Sequence, residues 1–541
     1  MAHKHVLFGE EARRKVLRGA KALTDAVRVT LGPKSKRVLL DKKWGTPLVC
    51  DDGVTIAKEF DLEDNEENLG ARMLRQAAER TGDRVGDGTT TSTLLAYAIY
   101  GEGVRNVVAG ASAIGLKRGL DKGLLAAIES LKAQSRIVKT RAEKASVASI
   151  SAHGDEAMGQ LVADAFEKVG DEGVISVEEA KTTETELEVV GGLQFDRGYL
   201  SPYFITDAER MECVLEDALL LVHEEKINNL KDLLPLLELV VQAGKPLVVI
   251  AEDLQAEALA TLVVNRLRGT LRVVAVKAPG FGERRKAILE DIGILTGAKV
   301  IAPELGLTLE KATLANLGRA SRVVVDKDST TLIGGAGDKA RIHARIGELR
   351  RHIEETTSEY DREKLEERLA KLTGGVAVIR AGAPSEAEMK SVKEAFEDAI
   401  NATKAAIAEG VVAGGGLALL RAVADVAKRV EQAEGDEKTG IKILMHALEA
   451  PVRQIAENSG FDPGVVVERM REGGGSLGLD AARGVYVNLI EAGILDPTKV
   501  VRIALENAVS VASVLLLTEA TLTELPEPKE RGESGTPDMQ M

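Results

Sequence analysis

The sequence predicts a multidomain protein that combines mainly helical regions with a separate α/β domain. Its 541 residues are too many for one hydrophobic core, so two to four domains are expected. Ala-rich helical patterns occupy residues 1–134 and return from 386 to about 520, whereas short β-branched runs alternate with helices after about residue 190. The α/β segment is therefore predicted to be an insertion into a helical domain built from both ends of the chain.

Composition and charge narrow the classes of function. The net charge is −14 and no basic tract occurs, which argues against a nucleic-acid partner. Cys50 and Cys213 cannot build a disulfide framework and show no metal-ligand spacing, as in proteins of a reducing compartment. No signal-peptide pattern opens the chain, and no apolar run approaches the ~18 residues that span a bilayer. A cytoplasmic protein without a membrane partner is expected.

The spacing of apolar residues assigns the first helices. Residues 9–31 should form a helix that Gly32 and Pro33 end. Its apolar residues at helical spacing are Val16, Ala20, Leu23 and Val27. A strand-rich segment follows at 38–50, and residues 65–134 are again helical. Only 3% of residues are aromatic and 53 are glycine, which favours helices that pack closely.

The middle of the chain is expected to hold a largely parallel sheet, because β-branched runs alternate there with helical patterns. These runs lie at 219–222, 247–251, 273–276, 300–301 and 323–325. Residues 339–372 should form a helical hairpin, and the Pro/Glu/Gly-rich tail at 526–541 should be disordered. Glycine pairs at 191–192 and 374–375 flank the insertion and are either hinges or ordinary turns.

The stretch at 86–91, Gly-Asp-Gly-Thr-Thr-Thr, carries the strongest chemical signal. Glycines let backbone N–H groups approach a phosphate, and the N-terminus of a helix favours negative charge. The carboxylate of Asp87 is the hard oxygen ligand that a phosphate-bound Mg²⁺ needs. The same pattern also fits a turn that caps a helix with threonine.

Further candidates for a phosphate site are scattered along the chain. The segments 30–34 (Thr-Leu-Gly-Pro-Lys), 52–53 (Asp-Gly) and 414–416 (three glycines) each fit either a nucleotide contact or a plain turn or helix end. Asp398 lies off the apolar stripe of its helix, so the pattern alone predicts that it is exposed to solvent. No Walker A motif occurs, which excludes a P-loop.

Taken in order, these segments resemble the group I chaperonins, the GroEL-type protein-folding machines of bacteria and organelles. The resemblance covers residues 2 to about 525. Its matching segments are TLGPK at 30–34, DGVT at 52–55, GDGTTT at 86–91, QFDRGYLSPYF at 194–204, AEDLQAEALATLVVN at 251–265, AVKAPGFG at 275–282, YDREKL at 360–365, GGVAVIR at 374–380, EGVVAGGG at 409–416 and GILDPTKV at 493–500.

The resemblance implies a GroEL-like chaperonin fold of three domains. A mainly helical equatorial domain would comprise residues 1–134 and 410–525, a small intermediate domain residues 135–190 and 376–409, and an α/β apical domain residues 191–375. Such subunits form heptameric rings, usually two rings back to back. The implied cofactors are ATP and Mg²⁺, with K⁺ as a further candidate. The implied partners are a GroES-type co-chaperonin and non-native polypeptides.

The resemblance also assigns a nucleotide site. It implies that Asp87 binds Mg²⁺ and that Asp398 positions the attacking water with help from Asp52. The other nucleotide-binding positions that it implies are Thr30, Leu31, Gly32, Pro33, Asp51, Gly53, Gly88, Thr89, Thr90, Thr91, Ile150, Gly414, Gly415, Asp480, Ala481, Ala482, Ile494 and Asp496. Asp51 and Asp480 depart from the residues common in the family. An extra carboxylate at Asp51 should weaken nucleotide binding or demand more cation.

Two apical segments are more apolar than one packed helix face requires. Leucine and valine cover roughly 220° of the helical wheel at 230–240, and residues 254–264 are apolar almost all round. These helices are either deeply buried or keep one face for a partner. The resemblance favours a partner and implies a surface for non-native chains and the co-chaperonin. Its residues are Tyr199, Tyr203, Phe204, Leu234, Leu237, Leu259, Val263 and Val264.

An ATP-driven folding chamber is the main hypothesis. A protein that holds clients without cycling is the second, motivated by Asp51 and by a tail that lacks the family's Gly-Gly-Met repeat. An enzyme that acts on a small molecule is the third and least favoured hypothesis, because no nucleophile–base pair stands out in the sequence. The resemblance further implies a latch between Arg197 and Glu386 of neighbouring domains in a ring, and a ring–ring contact through Arg453 and Asp462.

Overall fold

The chain folds into two units, each with its own hydrophobic core. The computed structural model describes residues 4–41, 47–152, 154–171, 173–180, 182–208, 210–356 and 358–524. The first unit combines residues up to Ala163 with those from Ser385, and the second is Asp164–Pro384. A unit made from both chain ends and a continuous insertion were predicted. The finer division into three domains stays a prediction, and the tail at 526–541 lies outside the described residues.

The N-terminal segment is mainly helical. Its elements are β1 (Lys4–Phe8), α1 (Gly9–Val27), β2 (Val38–Leu40), β3 (Leu48–Cys50), α2 (Gly53–Glu59), α3 (Asn65–Val85), α4 (Thr89–Val108), α5 (Ala113–Gln134), α6 (Arg141–Ser151) and α7 (Glu156–Val169). A 3₁₀ turn at Arg28–Thr30 follows α1, so the chain leaves the helix just before Gly32 and Pro33. The predicted helices of this segment are thus confirmed, with breaks before α4 and α5.

The insertion alternates strands and helices. Its elements are β4 (Val174–Glu179), β5 (Glu186–Val190), β6 (Gly192–Phe195), β7 (Cys213–Val222), α8 (Leu230–Ala243), β8 (Leu247–Ala251), α9 (Ala256–Leu267), β9 (Val273–Lys277), α10 (Gly282–Thr296), β10 (Gly318–Val325), β11 (Thr330–Gly335), α11 (Lys339–Glu355), α12 (Glu359–Gly374) and β12 (Val376–Ala381). The predicted helical hairpin is the pair α11 and α12.

The C-terminal segment returns to helices. Its elements are α13 (Glu386–Glu409), β13 (Val411–Ala413), α14 (Leu417–Val430), α15 (Gly435–Ala447), α16 (Ala450–Asn458), α17 (Pro463–Gly473), β14 (Leu477–Asp480), β15 (Val485–Asn488), β16 (Leu495–Pro497), α18 (Thr498–Leu517) and β17 (Ala520–Glu524).

Helix α18 forms the centre of the first unit. It packs against α3, α4 and α5, and most of its residues are buried. By length and composition it is apolar enough to cross a membrane, but 72% of its apolar window is buried, as expected of a core helix. Strands β1 and β17 pair in antiparallel register, from Lys4 opposite Glu524 to Phe8 opposite Ala520. The two chain ends are therefore tied together beside this core.

Helices α1 and α3 approach so closely that glycine is required where they cross. A Cβ atom on Gly19 would lie 1.6 Å from the carbonyl oxygen of Glu67, and one on Gly70 would lie 2.0 Å from the carbonyl oxygen of Val16. Both obstacles are backbone atoms, which cannot move aside as a flexible side chain can. The close helix packing expected from the glycine content is present at this crossing.

The main sheet of the insertion is mixed, so the prediction of a largely parallel sheet is wrong. The strand order is β6-β11-β10-β7-β8-β9; β7, β8 and β9 are parallel, and the other three pairs are antiparallel. Asp326 accepts hydrogen bonds from the N–H groups of Asp328 and Ser329, both at 2.6 Å, in a short turn between β10 and β11. A turn this short permits only antiparallel strands. Ile301 forms an isolated bridge with His223, and residues 300–301 are not a strand.

A second sheet and a buried ion network complete the insertion. Strand β12 pairs in parallel with β4 and antiparallel with β5. Asp291 on α10 is buried and accepts hydrogen bonds from Arg345 Nε at 2.8 Å and Arg368 Nε at 2.7 Å. Because a buried carboxylate needs such partners, this network fixes the helical hairpin against α10.

Gly19→Ala should lower the free energy of unfolding by about 1–3 kcal/mol, because the new methyl group clashes with the backbone of α3. The midpoint of urea unfolding, followed by circular dichroism, measures this loss. Gly347→Ala is the matched control, since Gly347 lies inside α11 and a Cβ there meets nothing within 4 Å. The control should gain up to about 1 kcal/mol from helix propensity. Equal effects of the two variants would contradict the packing argument.

Candidate functional site

A cavity of about 650 Å³ opens in the first unit where segments from both chain ends meet. This volume is typical of small-molecule sites. The predicted site residues that line it are Thr30, Leu31, Gly32, Pro33, Asp51, Asp52, Gly53, Asp87, Gly88, Thr89, Thr90, Thr91, Ile150, Asp398, Gly415, Asp480, Ala481, Ala482, Ile494 and Asp496. Gly414 lies just behind this wall, where its N–H donates to the carbonyl oxygen of Ile494 at 3.0 Å.

The N-terminus of α4 faces this cavity without a side-chain cap. Gly88 occupies the N-cap position with φ of 78°, a left-handed conformation that favours glycine. The first-turn N–H groups, at Thr89, Thr90 and Thr91, have no partner within the helix. The hydroxyl of Thr30 lies 3.1 Å from that of Thr90. Amide and hydroxyl donors therefore converge at one end of the cavity, the arrangement that binds phosphate.

Two carboxylates of the wall are held in place by hydrogen bonds. Asp52 caps α2 and accepts the N–H groups of Thr55 at 2.8 Å and Val54 at 3.3 Å. Asp87 accepts the hydroxyl hydrogen of Ser151 at 2.7 Å. These contacts fix both carboxylates at the cavity before any ligand binds.

Asp398 lies in the cavity wall, so the expectation from its helical pattern that it faces solvent is wrong. Helix α13 packs against α6 and also against α18, which leaves its polar positions between packed elements. Burial, followed by the charges of Asp87 and Asp52, raises the pKa of Asp398 well above its ordinary value. A perturbed carboxyl group of this kind in a cavity is a candidate for catalysis.

Asp496 and Asp480 have different roles in the cavity wall. Burial, followed by the charge of Asp87, raises the pKa of Asp496 to about 7, although the N–H groups of Gly415 and Gly416 donate to it. Asp480 accepts the N–H groups of Ala482 and Arg483, both at 3.1 Å. Asp480 therefore shapes the turn after β14 with its carboxylate.

The wall fits Mg²⁺ bound together with a phosphate group. Within the described residues, no group of three or more His, Cys, Asp or Glu side chains forms a ready metal cage. A divalent ion at Asp87 would take its remaining ligands from phosphate oxygens and water, as Mg²⁺ commonly does. Its charge would also offset the negative charge of Asp87, which adds to burial in raising the pKa values of Asp398 and Asp496.

Three residues at or beside the cavity were not predicted from the sequence. Ser151 ends α6 in a pattern that any helix end shares. Arg483 is the single lysine or arginine among the described residues of the lining. The Nε atom of Arg37 lies 3.2 Å from a carboxylate oxygen of Asp51, because β2 and β3 pair with Val38 opposite Cys50. The residue pattern does not fix that register.

The predicted client surface lies on the second unit, where α9 contacts both α8 and the 3₁₀ turn Pro202–Phe204. Tyr203, Leu234 and Val264 are exposed, and so are Val241 on α8 and Leu267 on α9. Tyr199, Leu259 and Val263 are partly buried against the core. We call the five exposed residues the apolar surface.

Two predicted client-binding residues are not on the surface. Phe204 is completely buried and Leu237 nearly so, because both belong to the core beneath α8 and α9. Their structural role is to hold these helices on the sheet. Some of the apolar side chains of these two segments are thus buried in the core, and others are exposed to solvent.

Three of the four residues of the two implied contacts have partners within their own units. Arg197 lies over the ring of Phe281, 5.7 Å from its centroid, whereas the side chain of Glu386 lies outside the described part of the chain. Arg453 pairs with Glu449 at 2.7 Å, and Asp462 accepts the N–H of Val465 at 2.9 Å as the cap of α17. The latch and the ring–ring contact stay predictions.

A cavity lined by segments from both chain ends, and an inserted α/β unit with exposed apolar side chains, agree with the resemblance to the chaperonins. The sequence profile of the TCP-1/cpn60 chaperonin family matches residues 23–525. Chaperonin GroEL 5 of Bradyrhizobium diazoefficiens is 70% identical over 529 residues, which cover 98% of each chain. The chain belongs to the TCP-1/cpn60 chaperonin family, as a GroEL-type chaperonin that assists protein folding.

Asp496→Asn should stabilise the ligand-free protein at alkaline pH. The pKa of Asp496 is about 7 in the folded protein against an ordinary 3.8, so folding takes up a proton between these values. Stability therefore falls as pH rises through this window. Calorimetry should find a higher melting temperature for the variant than for the wild type near pH 8, and equal values near pH 4.

Asp338→Asn is the control for this measurement. Asp338 caps α11 outside the cavity and accepts the N–H of Ala340 at 2.9 Å. This variant should show no gain that grows with pH. A gain of the Asp496 variant that is the same at both pH values would contradict the assignment of the raised pKa.

Proposed function

We propose that this chaperonin is an ATP-driven folding chamber that binds and hydrolyses Mg-ATP in the cavity of the first unit. The observation that carries the proposal is the convergence of the uncapped N-termini of α4 and α14 with Asp52, Asp87 and Asp398. Phosphoryl transfer asks a protein mainly for positioning and for neutralisation of charge. This cavity supplies both.

The N–H groups and hydroxyls at the start of α4 would hold the phosphates, together with Thr30. Asp87 would hold Mg²⁺, which supplies charge neutralisation at the phosphates when bound. Ser151 orients Asp87 through its hydrogen bond of 2.7 Å. K⁺ is a further candidate for this carboxylate-rich wall.

Asp398 acts on the attacking water in this proposal, with Asp52 fixed beside it as the cap of α2. Burial, followed by the charges of neighbouring carboxylates, raises the pKa of Asp398. A raised pKa makes an ionised carboxylate a better proton acceptor at neutral pH. Asp398 therefore accepts a proton from the water or orients it by hydrogen bonding.

Asp398→Ala should lower steady-state ATP turnover by about 100-fold, because the group that orients and deprotonates water is lost. Binding of Mg-ATP, measured by calorimetry, should change only a few-fold, since the phosphate donors at α4 remain. Asp338→Ala, at the cap of α11, should turn over ATP at the wild-type rate. Unchanged turnover in the Asp398 variant would show that the catalytic assignment is wrong.

The apolar surface would bind non-native polypeptides and the mobile segment of a GroES-type co-chaperonin. The hydrophobic effect is non-directional, so scattered exposed side chains suit many client sequences. In this proposal seven copies form a ring in the cytoplasm, paired into a double ring of fourteen. ATP binding moves the client from the surface into the enclosed chamber.

Leu234→Ser with Val264→Ser should weaken capture of a denatured client, because two of the five apolar contacts are lost. Co-sedimentation of an unfolded reporter protein with the chaperonin measures the loss, which we expect to be at least about threefold. Val189→Ser is a matched control, since Val189 and Val264 are each 43% exposed but Val189 lies on β5. Equal losses in the two variants would contradict this location of the surface.

A protein that holds clients without cycling is the second candidate, favoured by one observation. Asp51 adds a carboxylate to a cavity wall that already contains five other aspartates. Mg-ATP turnover with and without a GroES-type partner separates the two functions. Turnover that the partner modulates supports the folding chamber, and absent turnover with retained client capture supports the holding protein.

A further inference from the structure

Asp51 faces a wall that is unusually rich in negative charge. Asp51, Asp52, Asp87, Asp398, Asp480 and Asp496 all line the cavity. Arg483 is the single cationic side chain among the described lining residues, and its Nε atom lies 3.7 Å from a carboxylate oxygen of Asp480. A polyphosphate that enters this cavity therefore meets carboxylates on several sides, and each uncompensated charge opposes its binding.

Arg37 stands directly behind Asp51. The two residues flank the cross-strand pair Val38 and Cys50 of the β2–β3 ladder, so the backbone register places them side by side. The Nε atom of Arg37 lies 3.2 Å from an Oδ atom of Asp51. The Asp51 side chain is 17% exposed and that of Arg37 is 64% exposed. The carboxylate thus lies in the wall, and its cation lies outside it.

We propose that Arg37 is a positioning residue for nucleotide binding, which holds and neutralises Asp51 so that this carboxylate lines the cavity without repelling the phosphates. This inference rests on the proposed binding of Mg-ATP. It resolves how the chain keeps an additional aspartate beside a phosphate site, because the charge of Asp51 is compensated one strand away. The effect of Arg37 on binding should accordingly exist only while Asp51 is charged.

A double-mutant cycle on the full-length protein tests this dependence. Calorimetry gives the dissociation constant of Mg-ATP for the wild type, Arg37→Gln, Asp51→Asn and the double variant. Arg37→Gln should bind about fivefold more weakly, the size expected for a pair of this exposure. Asp51→Asn should bind as tightly as the wild type or tighter. The double variant should return to within about twofold of Asp51→Asn.

A purely structural pair that only staples β2 to β3 gives a different result. The double variant would then bind as weakly as Arg37→Gln or more weakly, which overturns the inference. Arg37→Lys keeps the positive charge and should bind within about twofold of the wild type. Added KCl should shrink the deficit of Arg37→Gln, because salt screens an uncompensated charge near the surface.

The charge swap Arg37→Asp with Asp51→Arg keeps the pair but puts the cation in the cavity wall. It should bind Mg-ATP more tightly than the wild type, and unchanged or weaker binding overturns the inference even if Arg37→Gln does not fold. If the wild type binds Mg-ATP and Arg37→Gln binds it with equal affinity, only the role of Arg37 is refuted. A folded wild type that binds no Mg-ATP refutes the proposed function and this inference with it.

Discussion

The burial and mutual repulsion of carboxylates in the cavity constrain the fold of the first unit. Burial and neighbouring charge raise the pKa values of Asp398 and Asp496, so the ligand-free fold bears an electrostatic cost there. Such unfavourable clusters of carboxylates are typical of sites that bind a cation or carry out a reaction. The stability that offsets it comes from close helix packing, in which α18 is surrounded by α3, α4 and α5. The glycine crossing of α1 and α3 belongs to the same core.

The cavity carboxylates are positioned by backbone geometry as much as by side-chain packing. Asp52 caps α2, Asp480 closes the turn after β14, and Asp87 precedes the left-handed Gly88 that starts α4. Each of these helices or turns is therefore part of the fold and also positions one carboxylate at the cavity. Because these segments come from both ends of the chain, the site exists only when the N- and C-terminal segments have folded together.

Helix positions and the two-unit organisation could be predicted from the sequence because apolar spacing and composition are local signals. The strand directions of the insertion could not, since β-branched runs look alike whether a turn such as that at Asp326 or a helix joins them. The apolar pattern of α13 wrongly predicted that Asp398 faces solvent. Because α13 packs on more than one side, a position off its apolar stripe still contacts other elements. The contact between Arg37 and Asp51 depends on strand register. The residues that line the cavity were predicted by resemblance to a family, which carries this long-range information.

The apolar surface follows from a geometric limit on helix α8. Leu233, Leu236 and Val240 are fully buried and hold the helix on the sheet, whereas Leu234 and Val241 on the same helix face solvent. One face of a helix buries only about 100° of its circumference, so leucines spread over twice that arc cannot all enter the core. The excess of leucine therefore leaves apolar side chains exposed on a helix that also packs in the core, and the exposed Leu234 lies within one turn of the buried Leu233 and Leu236. A rigid backbone that carries adaptable apolar side chains can bind many unfolded chains without unfolding itself.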